Sequence, residues 1–371
     1  MVTLAAVGDV ALLRRPSPNL FREGWEEADL RIANLESPLC AGGEPATKLI
    51  RLRSPVQAAD WLRDLGCHAV ALANNHALDY GPSGLASTLS ALDTAGIHHA
   101  GAGPTAASAE APIYLDLGSH RIAFLSWACT LPPGFRAREG QPGIAGIRVR
   151  TFYLADALLI DEQPGTPPWV HTEPWAEDVE RLEAALSEAR SRSDFVALAM
   201  HWGVPPQWSS PFQGPLAEYQ ETLAPRLISG GADVVLGHHA HTVYGVKAFP
   251  RQDGSTGLVV YSLGNYVFHP LGERTILELD APSVAYRAHE RPENWQTFVL
   301  TLSLEPAGGR LQIAEARLTP AQLDRHFESL RPTPDEALRI NERVAAFSAA
   351  RGTPLVADGG ALVWRPGDGE Y

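Results

Sequence analysis

Three histidines crowd into GHHAH, residues 237–241, directly after the apolar run VVL. Imidazoles at that density need partners for their ring nitrogens, and a divalent cation can take several neutral imidazoles at once. Elsewhere the chain repeats one arrangement. Asp9 follows LAAVG, Glu36 follows RIANL, Asn74-Asn75-His76 follow AVALA, and His201 follows VALAM. Each has an ordinary explanation taken singly. Asp9 could cap a helix or shape a turn, and Asn74-Asn75 could be turn chemistry. Glu36 could be a solvated loop residue before Ser-Pro, and His201 a hydrogen-bonded histidine at the rim of the core. Five apolar runs that each end in a carboxylate, amide or imidazole point instead to one shared cation site. Within GHHAH, an extended backbone places His239 and His241 on one face, about Ala240, and sends His238 to the other.

These groups can meet only if the segments that carry them end at a common edge. The runs 2–9, 29–36, 68–76, 120–128, 194–203, 234–241 and 257–268 are short and apolar, as buried strands are. Helical spacing fills 54–66, 81–96, 176–190 and 215–229, and 54–66 and 81–96 each close on glycine. Strands alternating with helices predict an α/β fold with a largely parallel sheet, whose carboxyl strand ends form the ligand edge. Residues 130–175 break the rhythm with Pro, Gly and Trp, and read as a lid or a mobile insertion. Two further strands are expected at 296–305 and 310–318, and a helix at 334–351. The expected organisation is one domain over 1–320, carrying the 130–175 insertion, with a helical extension over 321–371 packed on it.

Composition narrows the partners. The chain has 371 residues, a formal net charge of −13, 45% hydrophobic and 20% charged residues. An acidic balance disfavours nucleic acid and anionic membranes as partners. Arg51, Arg53 and the nearby Lys48 form the best candidate for a local basic patch. Cys40, Cys67 and Cys129 make no CxxC pair and are odd in number, as expected of reduced, buried thiols. Asp9 interrupts the first apolar run, and no stretch of about 18 apolar residues follows, so the expected location is cytoplasmic, without a membrane span.

The segments GDVALL, NLESPL, ANNHALDYG, HWG, GHHAHTVYG and SLGNYVF, in that order, resemble the motifs of the CapA, or poly-γ-glutamate synthesis, proteins. The resemblance covers roughly residues 1–270. It implies the calcineurin-like metallophosphoesterase fold, a four-layer α/β/β/α sandwich. It also implies a metal-binding set of Asp9, Glu36, Asn75, His201, His239 and His241. His76 takes the place of the family's catalytic histidine, with Asp79 three residues on to orient it. Two departures stand out. Metallophosphoesterases open on Asp-x-His, but Val10 and Ala11 follow Asp9 here, and Glu36 replaces a bridging Asp. A two-ion clamp holds its ions about 3.5–4 Å apart. With one ligand missing and a longer bridge, one firmly held ion is expected and a second weak or absent.

Three activities fit the resemblance. Soluble members of the family include peptide epimerases of lasso-peptide biosynthesis, which need a base and an acid on opposite faces of Cα and a cation to steady the enolate. His76 with Asp79 is one candidate pair, and His269 with Asp9 a second. Trp169, Trp175, Trp202 and Trp208 are candidates for an apolar pocket around a bulky residue. A phosphoesterase would use a metal-bound hydroxide, with His76 as acid, on a small phosphoester. A capsule-polymer accessory role is the third, disfavoured by a chain that starts directly at its first strand. The leading expectation is an isomerase, a metal-dependent epimerase of a peptide substrate. Mn²⁺, Zn²⁺ and Fe²⁺ suit three imidazoles with three oxygen donors, and Ca²⁺ suits a shell dominated by carboxylate and water.

Overall fold

The computed structural model describes residues 1–155, 157–206, 214–272 and 291–367. Its first sheet is built on β1 (Val2–Ala11), β2 (Leu30–Leu35), β3 (Ala69–Ala71) and β4 (His98–Ala100), paired in parallel in that order. On the other side of β1 the pairing turns antiparallel, to β16 (Gln296–Ala307), β17 (Arg310–Leu323), β20 (Ala361–Trp364) and β19 (Val356–Asp358). A short β15 (Asn265–Phe268) lies parallel to the end of β1, and β18 (Ser329–Leu330) pairs with β17.

The second sheet runs β13 (Val246–Pro250), β14 (Thr256–Val260), β12 (Val234–His238), β11 (Phe195–His201), β7 (His120–Ala128) and β6 (Ile113–Leu117). Its inner four strands are parallel and its edges antiparallel. Two mixed sheets thus replace the single, largely parallel one expected from the alternation of elements. The run 257–268 is also two strands rather than one. Residues 261–264 carry the chain from β14 in the second sheet to β15 in the first.

Three apolar clusters account for the layers. Leu4, Ala6, Leu30 and Ile32 of the first sheet meet Phe124, Phe195, Ala197, Val234 and Leu236 of the second. Alternate residues of the same first-sheet strands, Ala5, Val7, Ala33 and Leu35, face α1 (Ala58–Asp64) and α2 (Gly81–Ala95) through Trp61, Leu62, Leu85 and Leu92. On the far side, Leu125, Val196, Leu198 and Val235 face α5 (Ala176–Arg192) and α6 (Glu218–Gly230). Period-two alternation in strands buried on both faces generates this α/β/β/α order. The apolar stripe Val179, Leu182, Leu186 and Ala189 fixes the buried side of α5. Proline near the start of α2 and a left-handed Gly96 at its end set that helix's limits. The four-layer metallophosphoesterase-type sandwich is therefore the fold.

The boundary expected at residue 320 falls inside β17. Beyond it, β18, β19 and β20 join the first sheet, so the C-terminal region is not a purely helical extension. Its helix α8 (Pro334–Ala349) starts at a Thr333 cap and buries Ile340 and Val344 in the inter-sheet core. The 130–175 segment splits in two. Its first part packs through β8 (Gly143–Ile144) on β5 (Ala102–Gly103), near α3 (Ala106–Glu110). Its second part is an arm of β9 (Val149–Leu154), α4 (Ala157–Glu162) and β10 (Trp169–Pro174). The three cysteines are free and buried. Among the described residues no helix is long and apolar enough to cross a membrane.

Candidate metal centre

Five strand ends and the turns after them converge at one end of the two sheets. Asp9 lies opposite Asn34 of β2 and Asn265 of β15, where the pairing of β1 slips by a residue. Such a bulge re-aims side chains at a site. Gly8 makes the approach possible: a Cβ there would stand 2.0 Å from the Gly264 carbonyl oxygen. Glu36 follows β2, held by its amide on the Val10 carbonyl at 2.8 Å. His201 ends β11 and His238 ends β12.

Past His238 the backbone leaves the strand. His239 and His241 have φ of 88° and 52°, the left-handed region that imidazole residues seldom occupy. The two rings come together with centroids 6.0 Å apart, and His239 meets His201 at 4.8 Å. They converge through this strained turn, not through the strand alternation the sequence suggested. His238 does not point away from the site either. Its Nδ1 is 3.0 Å from Asp9 Oδ1, with both residues buried.

Two groups of candidate ligands overlap on Glu36. Glu36, His201 and His239 form one, and Asp9, Glu36 and His241 the other, with the donor atoms of each within 4.8 Å. Asn75 Oδ1 joins the first group, 2.8 Å from His201 Nε2. Asp9 is heavily engaged. Asn34 Nδ2 donates to its Oδ1 at 2.8 Å, the His239 amide donates to Oδ2 at 3.2 Å, and His241 Nδ1 lies 3.4 Å from Oδ2. His241 Nδ1 also faces Asn265 Oδ1 at 2.8 Å, which orients its ring.

The electrostatics fit a cation. Burial, then the Asp9 charge, push the Glu36 carboxyl well above its ordinary range. Burial also opposes ionisation of Asp9, but hydrogen bonding and charge from His238, with His241 behind it, hold it well below the usual range. Burial, followed by the neighbouring imidazole, keeps His201 well below its normal value, and His239 near about 3. Neutral imidazoles keep the lone pairs that metals need. Glu36 Oε1 and His239 Nδ1 are buried without a hydrogen-bond partner. Each such orphan costs about 1–3 kcal/mol, and one divalent ion between them would satisfy both. The donor set therefore fits a divalent metal.

Beside this cluster, His76 Nδ1 is 2.6 Å from Asp79 Oδ2. Asp79 is fully buried, and its Oδ2 also accepts the Leu52 amide at 2.6 Å. Lys48, expected in a surface basic patch, instead turns inward. Its Nζ pairs with Asp79 Oδ1 at 2.5 Å, lies 3.2 Å from His76 Nδ1, and donates to the Asn75 carbonyl. Asn74 ties the turn to β2 through the Leu35 carbonyl at 2.8 Å and accepts the His76 amide at 3.1 Å.

His269 is not a second pair with Asp9. It is fully buried, its Nε2 lies 2.8 Å from Glu328 Oε1, and its Nδ1 accepts the Leu13 amide at 3.1 Å. Its neighbour Phe268 aligns with Ala11, beyond Asp9 along β1, which carries the ring past the site. Among the described residues the candidate tryptophans lie apart. Trp202 is enclosed in the core with its indole N–H on the Tyr261 carbonyl. Trp175 lies under the Arg148 guanidinium at 4.2 Å, and Trp169 sits on the exposed arm. Trp208 lies outside the described residues. Asn34, Asn265 and Lys48 are the residues that the sequence reading missed. Asn34 had a signal, since it shares the face of Glu36 two positions on.

The chain is 27% identical to the uncharacterized protein y4sH of Sinorhizobium fredii, over 95% of this chain and 90% of that one. It is 24% identical to the capsule biosynthesis protein CapA of Bacillus anthracis, over 74% of this chain and 61% of that one. The solved calcineurin-like phosphoesterase YfkN of Bacillus subtilis aligns with 86% of this chain and 90% of its own, with 13% identity and a TM-score of 0.41. Residues 3–270 match the model of the bacterial capsule synthesis protein PGA_cap, and the chain belongs to that family.

Proposed function

We propose that this chain is a metal-dependent acid/base enzyme acting on a peptide, most concretely by inverting one Cα through removal of its proton and delivery of another to the opposite face. The observation that supports this best is the His76–Asp79 pair directly after Asn75 in the ligand cluster. Asp79 can only accept, and at 2.6 Å, against 3.2 Å for the Lys48 ammonium, it draws the ring proton to Nδ1 and leaves Nε2 its lone pair. Burial lowers the His76 pKa to about 4 against the pull of Asp79. The ring is then neutral near pH 7 and able to take a proton. Asp9, Glu36, Asn75, His201, His239 and His241 would hold the ion, and three imidazoles among them favour Mn²⁺, Fe²⁺ or Zn²⁺ over Ca²⁺. When bound, it supplies positive charge against the carbonyl oxygen beside the reacting Cα, which acidifies the Cα–H.

His76 breaks the Cα–H bond by taking the proton on Nε2, and Asp79 steadies the imidazolium. The new Cα–H bond on the opposite face forms with a proton from solvent, since both nitrogens of His269 are already engaged, and the His76 imidazolium then gives its proton up to solvent. The test is incubation of the metal-loaded chain with peptide in deuterated water. Deuterium at Cα without cleavage, abolished in His76→Ala, is the expected result. Turnover of an aryl phosphate with no Cα exchange would sink the reading.

A second reading is phosphoester hydrolysis, favoured by the two donor groups that share Glu36. Two tightly held ions per chain would bring it forward. A third is an accessory part in capsule or poly-glutamate synthesis, which the family description and the name of the Bacillus anthracis relative favour. It predicts neither turnover nor exchange.

A further inference from the structure

The cleft lined by Lys48, whose ammonium contacts both His76 and Asp79, has a chemistry of its own. It measures about 670 Å³ and opens between the 44–48 strap and the 132–142 loop. Five prolines line it: Pro45, Pro82, Pro132, Pro133 and Pro142, with the Phe135 ring between them. At its inner end Lys48 stands 5.3 Å from the centre of the Phe135 ring and reaches His76 and Asp79.

The walls are poor in hydrogen-bond donors. Proline has no amide hydrogen. Of the N–H groups that remain, five are spent internally: Ala46 on the Asp79 carbonyl, Lys48 on Ala46, Gly81 on Leu78, Phe135 on Pro132, and Gln141 on Arg138. Lys48 is the one cation among the described lining residues, and its ammonium is committed to Asp79 and the Asn75 carbonyl. Glu44 adds a negative charge at the mouth. An anionic polymer would find no uncommitted cation among the described lining residues. A ligand that brings its own N–H groups and apolar or aromatic faces would find acceptors and a rigid apolar wall.

We infer that this cleft seats a neutral, aromatic-bearing peptide segment flanking the reacting residue, and that it rejects polyanions such as poly-glutamate. The inference rests on the acid/base reading above for the identity of the reacting site. It commits to the substrate class, which that reading leaves open. Pro133 and Gln141 are lining residues on the exposed loop, so a charge can be placed there without emptying the core.

The experiment is fluorescence anisotropy with the full chain and two labelled probes. One is an acetylated, amidated Gly-Trp-Ala-Trp tetrapeptide and the other an oligo-γ-glutamate. The tetrapeptide is expected to bind at least about tenfold more tightly than the oligo-γ-glutamate. Pro133→Glu and Gln141→Glu are each expected to weaken the tetrapeptide by about fivefold or more, with Mn²⁺ affinity unchanged. Equal or tighter binding of the oligo-γ-glutamate overturns the inference. So does a tetrapeptide that fails to bind, or whose affinity ignores both substitutions. Binding requires no turnover, so a chain that binds the tetrapeptide without exchanging Cα hydrogen refutes the reaction and leaves the cleft assignment standing.

Discussion

Replacing Glu36 by Gln moves metal-free stability and metal affinity in opposite directions. Asp9 and Glu36 present ligand oxygens within 4.8 Å of each other, and both residues are fully buried. At an effective dielectric of about 20, two unit negative charges at that separation repel by about 3.5 kcal/mol. Burial, with the Asp9 charge behind it, raises the Glu36 carboxyl well above its ordinary 4.5. A raised folded-state value means that stability is fully present below about pH 4.5 and is lost as pH rises through the folded value. Protonation of Glu36 caps the loss at pH 7 at about 3 kcal/mol, roughly 2.5 pH units at about 1.36 kcal/mol each. A neutral amide of the same shape removes that cost. In chelator at pH 7, Glu36→Gln should therefore unfold later than the parent, by the equivalent of about 1–3 kcal/mol. At pH 5 the difference should shrink.

With metal the order reverses, because Glu36 belongs to both donor groups. Losing it should weaken binding by more than the roughly 10–100-fold seen for residues one shell out. At an ion concentration of about 100 times Kd the parent gains about 2.7 kcal/mol, most of which the variant forfeits. Calorimetric unfolding in chelator and in Mn²⁺, at both pH values, reads all of these effects. If the variant is less stable than the parent in chelator at both pH values, or keeps the full metal-induced rise, then Glu36 is not the charge on which the site turns.

Other substitutions separate the remaining roles. Asp79→Asn should lower Cα hydrogen exchange by about 100-fold or more while metal affinity stays within about threefold. Lys48→Met leaves the buried Asp79 charge uncompensated and should cost about 2–4 kcal/mol in urea unfolding, at the low end because the Lys48 side chain is 17% exposed. An unchanged midpoint would remove Lys48 from the site. His269→Gln should cost about 1–3 kcal/mol through its lost pairing with Glu328. It should leave metal binding and exchange within about threefold, and a specific loss of exchange would return His269 to the chemistry.

The sequence alone determined the elements and the donor inventory. Apolar runs bounded by polar residues mark β1, β2, β7, β11 and β12, because a strand buried on both faces has no choice of residue type. The residues that end those runs were visible for the same reason: a carboxylate or imidazole beside a core run needs a partner. Tertiary structure decided who partners whom. His238 and His269 were misjudged because alternation holds only while the chain stays extended. The backbone turns left-handed at His239, and the chain changes sheets over residues 261–264, ahead of His269. Lys48 sits on an irregular strap with no periodicity to read, and only the closure of that strap onto Asp79 takes its charge inside. Local pattern records what each residue must bury. Which buried charges face one another depends on long-range pairing that no local window contains.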